Sequence, residues 1–428
     1  MLAIRRFIDW FSTPKSSPNI DKRNFVNVQI DAIGVGLAAA SAPFIPVFLT
    51  RLGASNLQVG LLTAMPAVTG LLLAIPVGRF LQRQKKVVPW FSFSRLGVIT
   101  CYALTGLAAL FIKDPRVLIN TVLLIWALAT FPQTVLAITF SVVMNDVAGP
   151  VGRFELMTRR WSLLGLTTAI TVFLIGQVLV SIPPPYNYPV VFIGLSFGGL
   201  ISFYFSNHIK INDHLPPPAA SGQPVIKRIK GYFGEIFSEK PYMSFILKRL
   251  VYLTGTSLAI PLFPLFFVRV VHATDSWIAF INTSQTAVMI LGYFFWSYQS
   301  RKKSTRVVLL WTTAGIAIYP ILAALTRVPL VIAIYAGIAG IFQAGMDLVF
   351  FDELMRRVPP EKSAVFVSFA QSIQYVSSIF APVIGTTLGD WIGLPAALII
   401  AGGIRLFGFF LFLIPERKSK PVEQLPAV

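Results

Sequence analysis

Few side chains in this sequence are able to do ionic chemistry inside its apolar stretches. Asp31, Arg95, Arg249, Asp347 and Arg405 fall within runs dominated by Leu, Ile, Val, Phe and Ala. There an ionisable group that is neither paired nor wetted costs on the order of 3 kcal/mol or more. Asp31 lies about 20 positions before Arg51, roughly 30 Å of helix rise. If Arg51 marks one membrane interface, Asp31 sits near the other, beside Lys22 and Arg23. It is then either a hydrated interfacial carboxylate or one half of a buried pair. Arg95 and Arg405 either snorkel or pair with a carbonyl or an acid; Arg95 is otherwise placed to favour an anionic substrate. Asp347 is a candidate protonation site, or a member of a loop network with Asp352, Arg356 and Arg357. Among uncharged groups, Gln133 and Gln343 are the candidates for lining a cavity. Asn27, Asn282, Gln285, Gln371 and Gln374 also fall in apolar stretches, where amides more often join helices than touch substrate.

Other chemistries lack their residues. No Gly-x-x-x-x-Gly-Lys-Ser/Thr loop is present to cradle a nucleotide and no His-Glu-x-x-His to hold zinc. The three histidines, His208, His214 and His272, fall between apolar stretches, and the single cysteine, Cys101, rules out a disulfide framework or a cysteine metal site within this chain. No catalytic residue, metal or cofactor is expected, and no enzyme.

The elements that must position these groups are membrane helices. Over 428 residues, 55% are hydrophobic and 12% charged, with a mean hydropathy of +0.73, which is wrong for soluble domains. Twelve apolar runs are long enough to cross about 30 Å of hydrocarbon as helix. They cover Phe25 to Arg51, Leu57 to Phe80, Val87 to Ile112, Val117 to Met144, Glu155 to Ile182 and Tyr188 to Asn207. The second six cover Tyr242 to Val268, Trp277 to Gln299, Thr305 to Thr326, Leu330 to Phe351, Ser363 to Leu388 and Pro395 to Ile414. The class is all-α and polytopic. The net charge of +19 is spread over short loops and forms no nucleic-acid patch. Placing the N-terminus inside leaves only Arg51, Lys113, Arg116, Arg269 and Arg327 on the outer side, so the positive-inside rule puts both termini in the cytoplasm. Met1 to Ser17 is basic and amphipathic and lacks the apolar core of a cleavable signal. The aromatic load, 36 Phe included, suits an apolar ligand as well as lipid-facing surfaces.

The runs fall six and six, and the halves are copies. A shift of 218 positions carries Pro43 and Pro46 onto Pro261 and Pro264, Lys22 onto Lys240, and Arg51 onto Arg269. The loop basics Arg83 and Lys85 fall on Arg301 and Lys303, and Asp31 falls on Arg249, opposite charges at one depth.

Two six-helix halves in parallel repeat, an inside N-terminus and a long basic central segment resemble the major facilitator superfamily. The loop after the second run is similar to its Gly-x-x-x-Asp-Arg-x-Gly-Arg-Lys motif: Gly78 and Arg83 match, Lys85 and Lys86 keep the basic tail, and Gln82 replaces the aspartate. Asp146, Pro150 and Arg153 resemble the acidic-proline-arginine pattern after the fourth run, while Arg301 and Lys303 with Asp352 and Glu353 echo both motifs in the second half. The resemblance implies two bundles related by a pseudo-two-fold axis, with substrate near the midplane between them. It also implies that the first and seventh helices face each other. Asp31 and Arg249 would then form a cytoplasmic gate, paired when that mouth is shut, with Asp31 and Asp347 as proton-coupling candidates.

The expected domains are an N-terminal cytoplasmic segment 1–24, a bundle 25–207, a linker 208–240, a second bundle 241–414 and a cytoplasmic tail 415–428. The expected function is proton-coupled secondary active transport of a small organic solute across the inner membrane by a monomer in the lipid bilayer, with export favoured by the acid-poor core. The competing expectation is a non-transporting scaffold of the same fold that binds a pigment, a lipid or a protein.

Overall fold

The structure is a computed structural model in which residues 21–82, 84–211, 236–357 and 363–414 are described. The expected amphipathic segment at the N-terminus, most of the linker and the C-terminal tail lie outside the described residues. What is described is twelve helices. In the first half they are α1 (Lys22–Ala39), α2 (Phe44–Arg51), α3 (Asn56–Gln82), α4 (Val88–Phe111), α5 (Pro115–Ser181) and α6 (Asn187–Asn207). In the second they are α7 (Lys240–Arg269), α8 (Asp275–Lys302), α9 (Thr305–Ala324), α10 (Pro329–Arg357), α11 (Ser363–Ile392) and α12 (Leu394–Leu413). Eleven stretches are long and apolar enough to cross a membrane, and the 30-residue α11 makes a twelfth helix of spanning length.

Helix starts follow capping chemistry. The Asp21 carboxylate accepts from the backbone N–H of Arg23 at 2.6 Å, and Asp114 does the same for Arg116 at 2.8 Å, satisfying donors that a first turn leaves free. The first membrane span is broken into α1 and α2. Pro43 and Pro46 have no N–H to donate and crowd the carbonyls one turn back, so the helix stops at Ala39 and resumes at Phe44. In the turn, Ser41 Oγ donates to Ala38 O at 2.7 Å. The repeat-related Pro261 and Pro264 lie inside an unbroken α7.

Helical residues run continuously from Pro115 to Ser181, yet the run holds two separate membrane-length stretches, Pro115–Ala148 and Arg159–Ser181. Leu118 and Val122 of the first stretch belong to the same core as Ile175 and Leu179 of the second.

The helices form two bundles of six spans related by a pseudo-two-fold axis. One core holds Phe44, Phe48 and Trp126 of the first half together with Leu262, Phe266 and Ile278 of the second. A smaller core of Phe25, Val28, Phe91, Val143 and Leu156 belongs to the first half alone. Glycines set the closest approaches. A Cβ on Gly34 would stand 2.6 Å from Gly198 O and from Ser202 N, so α1 lies directly against α6.

That contact yields a paired test. Gly34→Ala is expected to destabilise the protein by about 1–3 kcal/mol through overpacking. Gly194→Ala, on the same α6 but with nothing within 4 Å, is expected to be neutral or slightly stabilising. Thermal unfolding of the two variants in one detergent measures the difference.

Candidate functional site

A cavity of about 300 Å³ lies between the halves, at the lower end of the range of roughly 300–1,000 Å³ for small-molecule sites. Its walls are Thr63, Pro66, Ala67 and Gly70 of α3, Gln133, Thr134 and Ala137 of α5, and Gln374, Tyr375 and Ser378 of α11. Gly70 is required here, since a Cβ would meet the Tyr375 ring at 2.8 Å. Among the described residues the lining is amide, hydroxyl and apolar, with no charged side chain. At its edge stands Arg249 of α7, whose Nη2 donates to Gln374 Oε1 at 2.9 Å.

Beyond the Thr63 end of the cavity the two halves are joined by a reciprocal pair of arginines. Arg51, the last residue of α2, donates from Nη2 to Ala273 O at 2.6 Å and pairs with Asp275 at 3.1 Å. Arg269, the last residue of α7, reaches the opposite way, donating from Nη2 to Ala54 O and from Nη1 to Asn56 Oδ1 at 2.5 Å. Asn56 also donates to Asp390 Oδ1 at 2.6 Å. Each arginine thus caps its own half and grips the turn after the equivalent helix of the other. Further from this end, Ser276 Oγ donates to Gly176 O at 3.0 Å and Thr283 Oγ1 to Ala169 O at 3.3 Å.

Asp31 is fully buried within its own half. Its Oδ2 pairs with Arg95 at 3.1 Å and Arg160 at 3.3 Å, and its Oδ1 accepts from Ser202 Oγ at 2.6 Å. Two guanidiniums share one carboxylate, and aromatic faces take part of the excess charge: Arg95 lies 4.9 Å from the Phe91 centroid and Arg160 4.6 Å from that of Phe140. The Asp31–Arg249 gate expected from the duplication is not formed here. The Gly34 contact presses this face of α1 onto α6, so the carboxylate turns into its own bundle, while Arg249 turns to α11. Arg95, a cavity candidate, is likewise committed to Asp31.

Asp347 of α10 accepts from Gln343 Nε2 at 2.8 Å and Tyr293 Oη at 3.2 Å. It is separate from the pairs near the helix end, Asp352 with Arg356 at 2.9 Å and Glu353 with Arg357. Gln343 therefore serves Asp347, whereas Gln133 is among the residues that line the cavity. Of the loop-motif residues, Lys85, Lys86, Asp146 and Lys303 are exposed. The environments of Gly78, Arg83, Arg153 and Arg301 lie outside what is described.

Sequence reasoning missed Arg160, Tyr375 and the partners of the two capping arginines, and it set Gln374 aside as an amide that joins helices. Depth is the signal for Arg160: counted back from Ser181 it lies about as deep as Asp31 counted back from Arg51. For Gln374 the sequence holds no signal, because an amide on an apolar helix reads the same whether it faces a helix or a void.

Residues 245–428 match the family model described as Major Facilitator Superfamily. The fold is similar to the crystal structure of the nucleoside transporter NupG, with a TM-score of 0.65 and 10% identity over 91% of this chain and 97% of that one. It is also similar to that of a bacterial homologue of the iron transporter ferroportin in an inward-facing state, with a TM-score of 0.67 and 12% identity over 90% and 98%. At such identities the likeness is one of fold. No curated protein matches the sequence.

The buried cluster leads to a stability prediction. Asp31→Asn leaves two buried guanidiniums without an anion and is expected to cost about 3–5 kcal/mol. Ser202→Ala removes one hydrogen bond to a charged group and is expected to cost about 1.5–3 kcal/mol. Unfolding midpoints of the purified variants report both.

Proposed function

We propose that this chain is a member of the major facilitator superfamily and carries a small organic solute across a membrane by alternating access to the cavity between its halves. The observation that carries the reading is the cavity itself, walled by both halves and shut at one end by Arg51 and Arg269. A scaffold has no need of a central void whose closure depends on a few polar contacts, one exposed and the rest part-buried. By the distribution of Lys and Arg, the Arg51 end is the outer side of a bacterial-type inner membrane and both termini are cytoplasmic. The cavity then opens inward.

The strength of the closure suits a switch. An exposed ion pair such as Arg51–Asp275 contributes about 0–1 kcal/mol, and hydrogen bonds from a charged donor to carbonyls about 1.5–3 kcal/mol each. A few kcal/mol is the gap that a ligand with different affinities for two states can shift. The reciprocal arrangement means that one rocking motion about the pseudo-two-fold axis breaks both grips together.

Proton coupling is assigned to Asp347. Among the described residues no cation lies within ion-pair distance of it, so it can take up and release a proton without breaking an ion pair. It is exposed, two and a half turns from Ile338, which places it roughly opposite that apolar outer face. Asp31, held by Arg95 and Arg160, is a structural anion in this reading, and Arg249 is left free to meet solute.

Two measurements test this. Spin labels at Lys113 and Arg327, one on each half at the outer end, are expected to give a predominantly short distance that lengthens in the Arg51→Gln, Arg269→Gln double variant; an unchanged distribution removes the latch. In proteoliposomes, solute flux is expected to move protons in the wild type. Asp347→Asn is expected to abolish that proton movement while solute binding survives, read with an internal pH dye. Absence of flux for every solute that binds would mark a scaffold.

A further inference from the structure

We infer, resting on the transport reading above, that the solute is a small organic anion with a flat, largely apolar body, its carboxylate held by Arg249. Arg249 is a charged side chain bonded to the cavity lining among the described residues, through Gln374. It has no carboxylate within ion-pair distance among the described residues. Its Nε is buried without a partner, and its nearest aromatic face, Phe350, is a distant 5.8 Å from the guanidinium carbon. Asp31, the opposite charge that the repeat supplies, is consumed by Arg95 and Arg160. Asp347, on the same half, is bonded by Gln343 and Tyr293 and does not neutralise it.

A guanidinium in a low-dielectric surround without its anion is the group most in need of one, and the fork of N–H donors that Gln374 leaves open matches a carboxylate. The position fits delivery. Arg249 lies nearer the inner end of α7 than Thr254, which bonds Ser377 at 2.9 Å, so an anion entering from inside meets the charge at the cavity's inner edge. Beyond it the walls select shape rather than charge. The Tyr375 ring, brought close by Gly70, and Pro66 offer apolar faces, and Gln133 offers a neutral amide at the far side.

The test uses the full-length protein with matched acid and amide probes: benzoate with benzamide, nicotinate with nicotinamide, and indole-3-acetate with indole-3-acetamide. Thermal shifts for wild type are expected with one or more acids and not with the paired amides, since a ligand of the folded state raises its apparent stability. Arg249→Gln is expected to weaken acid binding at least about tenfold, and Arg249→Lys to weaken it less. The unliganded melting temperature of each variant separates lost binding from lost folding. Equal shifts with the amides, no shift with any acid, or retention of the acid shift in Arg249→Gln overturns the inference. Acids that bind and depend on Arg249 yet show no flux in proteoliposomes leave the anion site standing and overturn transport instead.

Discussion

Arg51 and Arg269 reach across the boundary between the halves in opposite directions, each ending on a backbone carbonyl in the turn of the other half. The arrangement has a physical cause. A helix that crosses lipid ends with carbonyls and charged side chains near the interface, and in a duplicated protein the ends of the first and seventh spans approach each other. A guanidinium there finds carbonyl, amide and carboxylate acceptors within reach and few of them fully shielded from water. The contact joins the two halves at this end, and the proposed alternation of access depends on it.

The two halves answer one problem differently. At the same repeat position the first half has Asp31 and the second Arg249. In the first, basic side chains from α4 and α5 and a hydroxyl from α6 gather around the acid and make a sealed cluster. In the second, no acid among the described residues gathers around the base, and its bond goes to an amide that lines the void. Burial of the first charge is structural because its partners come from one bundle. The incompleteness of the second is what the proposed anion site rests on. The paired prolines diverge too: Pro43 and Pro46 break the first span, while Pro261 and Pro264 are absorbed within α7.

Much of the fold is legible in the residues. Apolar runs of membrane length place the spans to within a few residues, and the register of Pro43 with Pro261 and Arg51 with Arg269 shows the duplication. Gln133 as a cavity residue is legible as well, and Asp347 is legible as a polar group that must be accounted for. Arg160 is half-legible: it stands beside Arg159 at the start of an apolar stretch, and adjacent arginines at such a place read as interface anchors unless depth is counted.

The sequence by itself determined that the chain is helical and membrane-spanning, built as two related halves, because hydropathy, charge placement and repeat register are properties of the chain read along its length. Only the tertiary structure decided which charges meet. Asp31 belongs to Arg95 and Arg160 and not to Arg249 because Gly34 lets α1 lie flat on α6, and that rotation fixes where every side chain on the helix points. Rotation about a helix axis leaves no trace in an apolar run that is hydrophobic all round. The partner of a buried charge is therefore settled by packing, one glycine contact at a time.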